Sequence, residues 1–75
     1  MSEKKIKLTD LQEVREFVQA ATRCDFDIDV FYNRIIIDAK SILGVLSLDL
    51  TKVLTVKYGG SDIEFENILS KYAAA

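Results

Sequence analysis

Asp25-Phe26-Asp27-Ile28-Asp29-Val30-Phe31-Tyr32-Asn33-Arg34-Ile35-Ile36-Ile37-Asp38-Ala39 is the stretch that decides how the chain folds. Its first half has period two. Phe26, Ile28, Val30 and Tyr32 point one way and Asp25, Asp27, Asp29 and Phe31 the other, the pattern of a strand with one face on a core. Asn33-Arg34 is a two-residue turn, although Asn-Gly would suit a type I′ hairpin better, because both central residues there need φ > 0. The β-branched run Ile35-Ile36-Ile37 is the return strand, ending near Ala39. The Asp25, Asp27, Asp29 row is a solvated face, since a calcium loop needs a turn with glycine and a distal glutamate.

Upstream, Leu11, Val14, Phe17, Val18 and Ala21 take the spacing of one helical face. Thr9 or Asp10 caps this helix, each followed three residues later by a partner, Gln12 or Glu13. Before it, Lys5 to Thr9 alternates, with Ile6 and Leu8 on one face of a short strand. Downstream, Ser41 to Leu48 is apolar on all sides and reads as a short helix capped by Ser41. Val53 to Tyr58 is a fourth strand with Leu54, Val56 and Tyr58 inward, broken by Gly59-Gly60. Ser61 and Glu64 form a capping box for a last helix with the stripe Phe65, Ile68, Leu69 and Tyr72; Ala73 to Ala75 fray or end it.

The order β, α, β, β, α, β, α predicts an α+β fold, an open-faced two-layer sandwich of a four-stranded antiparallel sheet with three helices on one face. The expected core is Ile6, Leu8, Val14, Val18, Ile28, Val30, Ile35, Ile37, Leu54, Val56, Phe65, Ile68 and Leu69. Phe31 and Ile36 stand on the other face, either as a cross-strand pair or as a partner-binding patch.

Composition narrows the function. Seventy-five residues, 49% hydrophobic and 29% charged, without Pro, linker or repeat, fit one soluble domain over 1–75. Ten Lys and Arg against twelve Asp and Glu give a net charge of −2, so no basic field gathers nucleic acid. No apolar run approaches the ~20 residues of a membrane span and no signal segment is visible, so the cytoplasm is the default. A single cysteine, Cys24, rules out an internal disulfide or a cysteine-based zinc cluster, and neither a metal nor a cofactor is expected. The chain has no histidine, which removes imidazole as base, metal ligand and phosphoryl acceptor together.

Ala39-Lys40-Ser41-Ile42-Leu43-Gly44-Val45-Leu46-Ser47-Leu48 resembles the regulatory-serine segment of the HPr (histidine-containing phosphocarrier) family of the sugar phosphotransferase system. The usual form is Lys-Ser-Ile-Met-Gly-Val-Met-Ser-Leu, and the changes are Leu for Met. The resemblance continues back through Tyr32-Asn33 and Phe26-Asp27-Ile28-Asp29 to Phe17-Val18-Gln19-Ala20-Ala21. Forward, it reaches Leu54-Thr55-Val56 and Gly60-Ser61-Asp62. It implies an HPr-like sandwich, the same element order as the periodicity. It also implies what is missing. The family carries its phosphoryl group on a histidine in Gly-Leu-His-Ala-Arg-Pro at the start of the first helix, where the resemblance places Asp10 at the histidine, Gln12 at the arginine and Glu13 at the proline. Arg34 replaces the glycine of the hairpin, and the last helix is shorter than in the family.

The resemblance makes Ser41 a target of an ATP-dependent serine kinase, and it makes Ile42, Leu43 and Leu46 part of a docking patch for enzymes or a transcriptional regulator. From the residues alone, Ser41 is equally an N-cap worth ~1 kcal/mol. The leading expectation is a non-catalytic regulatory module that binds a protein through the Ser41 to Leu48 helix under serine phosphorylation. Two alternatives stand beside it: a phosphocarrier using Asp10 as a non-histidine acceptor, which needs Mg²⁺ in an acidic cluster, and a structural remnant with no phosphotransfer role.

Overall fold

In a computed structural model, which describes residues 1–74, the chain runs β1 (Ser2–Ile6), α1 (Leu11–Thr22), β2 (Ile28–Tyr32), β3 (Ile35–Asp38), α2 (Ile42–Leu46), β4 (Leu54–Tyr58) and α3 (Ile63–Lys71). Ala75, at the expected frayed end, lies outside the described residues. The four strands form one antiparallel sheet in the order β1-β4-β2-β3. Helix α1 packs against both α2 and α3, α2 reaches β3 and α3 reaches β1. This is the predicted α+β sandwich.

The hairpin forms as its periodicity requires. Tyr32 pairs with Ile35 across Asn33-Arg34, and Phe31 pairs with Ile36 on the outer face. Among the described non-glycine residues only Asn33 has positive φ, at 53°, so the turn is not type I′, and asparagine is a residue that tolerates this region. Lys57 of β4 lies over the Phe31 ring, its ammonium 4.7 Å from the centroid.

Ile6, Leu8, Val14, Val18, Ile28, Val30, Leu54, Val56, Phe65 and Leu69 are buried as expected, while Ile37 and Ile68 are half-buried against the core. Ile35 is corrected: it is 47% exposed, because β3 is the sheet's edge and Ile35 lies beside the turn, beyond the helices' cover. Leu11, the first residue of α1, is likewise exposed. Phe17, Ala20, Ala21, Cys24, Ala39, Val45, Leu48 and Tyr58 complete the core. Phe65 stands edge-on to Tyr58 at 5.3 Å between centroids, and Phe26 stacks on Tyr58 at 6.1 Å.

Four boundaries move. β2 begins at Ile28 and not at Asp25, because its pairing with β4 starts at Ile28↔Tyr58. β1 is Ser2–Ile6 and not Lys5 to Thr9, because its five backbone pairs with β4 run from Ser2↔Tyr58 to Ile6↔Leu54. Leu8 is buried after the strand has ended. The cap of α3 is Asp62, which accepts from the Phe65 amide at 2.9 Å, in place of Ser61. The helix after Ser41 covers only Ile42–Leu46, ended by Ser47, whose amide donates to the Leu43 and Gly44 carbonyls at 3.1 Å each.

Candidate functional site on the second helix

The chain enters α2 through a pinned turn. The Lys40 amide donates to Asp38 Oδ1 at 2.9 Å and the Ser41 amide to the Asp38 carbonyl at 3.0 Å. The Lys40 ammonium donates to the Cys24 carbonyl, just past α1, at 2.9 Å. Ser41 itself is extended, and its Oγ accepts from the Gly44 amide at 3.2 Å, the N-cap expected of it. Ser47 Oγ donates to the Gly44 carbonyl at 2.6 Å, which closes the other end.

The exposure of each α2 side chain follows from this fixed rotation. Val45 is fully buried and Leu48, just after the helix, nearly so. At about 100° per residue, Leu46 and Ile42 lie beside Val45 and Leu43 lies almost opposite. Ile42 and Leu46 are accordingly at the margin of exposure, and Leu43 is 79% exposed. Gly44 allows the close seat: a β-carbon there would stand 2.7 Å from Ile37 Cγ2 of β3. The site is thus an exposed serine hydroxyl at the head of a short helix, next to an outward leucine flanked by two half-covered aliphatic side chains.

Asp10 is placed quite differently. It is the N-cap of α1, its Oδ1 accepting from the Glu13 amide at 2.9 Å, while the Glu13 carboxylate accepts from the Thr9 amide at 2.8 Å and the Thr9 hydroxyl at 3.0 Å. Both acids are therefore engaged in starting the helix. Beside them runs an open groove lined by Asp10, Gln12, Glu13, Glu16, Lys71 and Tyr72. In it the Tyr72 hydroxyl and the Lys71 ammonium, the latter at 3.1 Å, donate to Glu16, and these bonds hold the Glu16 carboxyl below its usual range. The groove sets three carboxylates, Asp10, Glu13 and Glu16, against two cations, Arg15 and Lys71, and Lys71 is already paired with Glu16. Among the described residues no three His, Cys, Asp or Glu side chains converge as a metal site.

Two supports had no signal in the sequence. Lys40 reaches a carbonyl 16 residues away, and Tyr72 reaches across from the end of α3 to α1. Both are long-range contacts that periodicity does not encode. No helix among the described residues is long and apolar enough to cross a membrane.

The fold defined by this sheet order and these helices is HPr-like. A crystal structure of a phosphocarrier protein HPr from Bacillus anthracis str. Ames matches with a TM-score of 0.71 at 24% identity, covering 95% of this chain and 95% of that one. The HPr-C-His structure from Thermoanaerobacter tengcongensis matches with a TM-score of 0.76 at 25% identity, covering 95% of this chain and 93% of that one. No protein-family model matches the sequence, and no curated protein matches it. The chain therefore has the architecture of the HPr phosphocarriers over nearly its whole length, without a histidine in its sequence.

Proposed function

We propose that this chain is a non-catalytic, HPr-like regulatory module, one domain over 1–75, that binds a protein partner through α2 and is switched by phosphorylation of Ser41. The observation that carries this reading is the 79% exposed Leu43, held outward by the burial of Val45 and adjacent to a solvent-facing Ser41 hydroxyl. An apolar group held in water on a rigid seat is suited to burial in a partner. A phosphate on Ser41 would add about −1.5 to −2 charges beside the Gly44 amide that the hydroxyl now engages, so α2 can carry it without unfolding. The same charge would alter what docks on Leu43, Ile42 and Leu46. A serine kinase and a transcriptional regulator are the partner types the sequence resemblance brings, in a cytoplasmic setting. The acceptor alternative at Asp10 has less support, because that carboxylate caps its own helix among other acids.

Incubation with ATP and the serine kinase of the phosphotransferase system, followed by intact mass measurement, tests the switch. The expected result is a gain of one phosphoryl group that Ser41→Ala abolishes. No gain, or a gain that survives Ser41→Ala, refutes the switch. An acid-labile phosphate formed instead from phosphoenolpyruvate and enzyme I would favour Asp10.

A further inference from the structure

The head of α2 is held from two sides. On the sheet side, the Ala39 amide donates to the Ile28 carbonyl at 2.9 Å, the Lys40 amide to Asp38 Oδ1 at 2.9 Å and the Ser41 amide to the Asp38 carbonyl at 3.0 Å. On the helix side the Lys40 ammonium donates to the Cys24 carbonyl at 2.9 Å. Among the described residues this is the one hydrogen bond that ties residues 38–47 to the end of α1.

Lys40 is half-buried and forms no ion pair among the described residues. Its ammonium serves a main-chain carbonyl instead, for an electrostatic reason. α1 has no basic residue in its last turn, and Arg23, its C-cap, turns to Glu64 at 3.4 Å. The negative end of the α1 dipole lies here, and a cation near it is favourable. A hydrogen bond from an ionised donor is also stronger than a neutral one.

Ser41 is the next residue. Its backbone is extended, with φ −101° and ψ 104°, and its Oγ accepts from the Gly44 amide at 3.2 Å. That contact takes one acceptor site of the hydroxyl and leaves the other, with the proton, to an incoming group at this exposed position. α2 has five residues, too few to keep such a geometry by itself. Val45 and Leu48 seat its body and tail, so the direction of Oγ depends on what fixes residues 40 and 41.

We infer that Lys40 is a positioning residue: by holding the Cys24 carbonyl it orients Ser41 Oγ for phosphoryl transfer from ATP. The inference rests on the reading of Ser41 as a kinase target. In that transfer Oγ forms the new bond to the γ-phosphorus, the bond from that phosphorus to the ADP oxygen breaks, and the hydroxyl proton passes to a base of the kinase. The attacking lone pair has to lie in line with the leaving oxygen, and a misplacement of about 1 Å can cost about 100-fold in rate. Lys40 acts through the backbone, since its ammonium bonds the Cys24 carbonyl and not the Ser41 hydroxyl.

Two measurements on the full chain test this, one without the kinase and one with it. In the free protein, hydrogen exchange of the Gly44 amide reports the cap, and the Hα–Hβ couplings of Ser41 report the rotamer of its hydroxyl. Lys40→Met should speed Gly44 exchange about tenfold and average the Ser41 couplings, with the far-ultraviolet circular dichroism of the native chain. With the kinase and ATP, Lys40→Met should lower kcat about tenfold while KM stays within about twofold. Lys40→Arg, whose guanidinium also donates to a carbonyl, should restore all of these. Unchanged Gly44 exchange and Ser41 couplings in Lys40→Met overturn the inference, whatever the kinase does. An unchanged kcat also overturns it, and a raised KM beside it would mark Lys40 as a charge that the kinase reads directly. So does a Lys40→Arg chain that behaves like Lys40→Met. If the unmodified chain takes no phosphate, the kinase reading of Ser41 is refuted, and the couplings in the free protein still decide whether Lys40 orients the hydroxyl.

Discussion

Gly44→Ala sets two effects of opposite sign against each other within α2. Replacing glycine by alanine inside a helix is worth about 1 kcal/mol of stability in an open site. Here the new β-carbon would stand 2.7 Å from Ile37 Cγ2 and 3.1 Å from Ser41 Oγ. Carbon atoms rest at about 3.5–4.0 Å, so the overlap with Ile37 is about 1 Å. Ile37 is β-branched with a stiff χ1 and packs against the core, while Val45 and Leu48 anchor α2 from within. Neither side yields easily, and overpacking of this kind costs about 1–3 kcal/mol. The cost outweighs the gain, and we expect a net loss of about 1 kcal/mol, or about 4–8 °C in Tm for a domain of this size. Urea unfolding should show a lower midpoint at unchanged slope. In an Ile37→Ala background the obstructing methyl is gone, so the same Gly44→Ala should become stabilising. A rise in the midpoint on Gly44→Ala in the unmodified chain would refute the account of how α2 is seated and why Leu43 faces outward.

Gly60→Ala should be more damaging, since its β-carbon would meet the Phe26 ring at 2.1 Å and drive it off Tyr58. We expect a loss of about 2 kcal/mol with a changed near-ultraviolet circular dichroism, against little effect for Gly59→Ala, where nothing lies within 4 Å. The Tyr58 phenol is pushed up from 10.0 to about 12, first by burial and then by its hydrogen bond to the Glu66 carboxylate. Because the folded value is the higher, its contribution to stability is complete below pH 10 and disappears as the pH rises through about 12. A spectrophotometric phenolate titration should find it there, and Glu66→Gln should lower it without restoring the ordinary value, since burial persists.

The elements legible in the sequence were those whose side chains alternate or recur against a core. Ile28, Val30, Leu54 and Val56 announce two central strands, and Val14, Phe17, Val18 and Ala21 announce α1. β1 was misplaced because Ser2 to Lys5 are all exposed on an edge strand. Its position is set by backbone pairing with β4, which leaves no hydrophobic signal, while Leu8 prolongs the alternation past the strand's end. Ser61 and Asp62 are both residue types that cap helices, the capping-box partner Glu64 favours Ser61, and only the path of the chain selects Asp62. Ile35 stands on the same side of β3 as Ile37, as the alternation predicts, and is exposed because no helix covers the hairpin end of this edge strand, which the sequence does not encode. At the site, the excess of apolar residues in a two-turn helix foretold that some are exposed. That Leu43 is the one follows from Val45 and Gly44, whose contacts are tertiary.

The central claim, that the working surface is α2 and not the start of α1, is tested most directly by amide NMR of the nitrogen-labelled chain titrated with the serine kinase in the presence of a non-hydrolysable ATP analogue. The account predicts that shifts and broadening concentrate on Ser41 to Leu48 and vanish in Leu43→Asp. Perturbations centred on Asp10 to Glu16, with Ser41 to Leu48 unmoved, would contradict it.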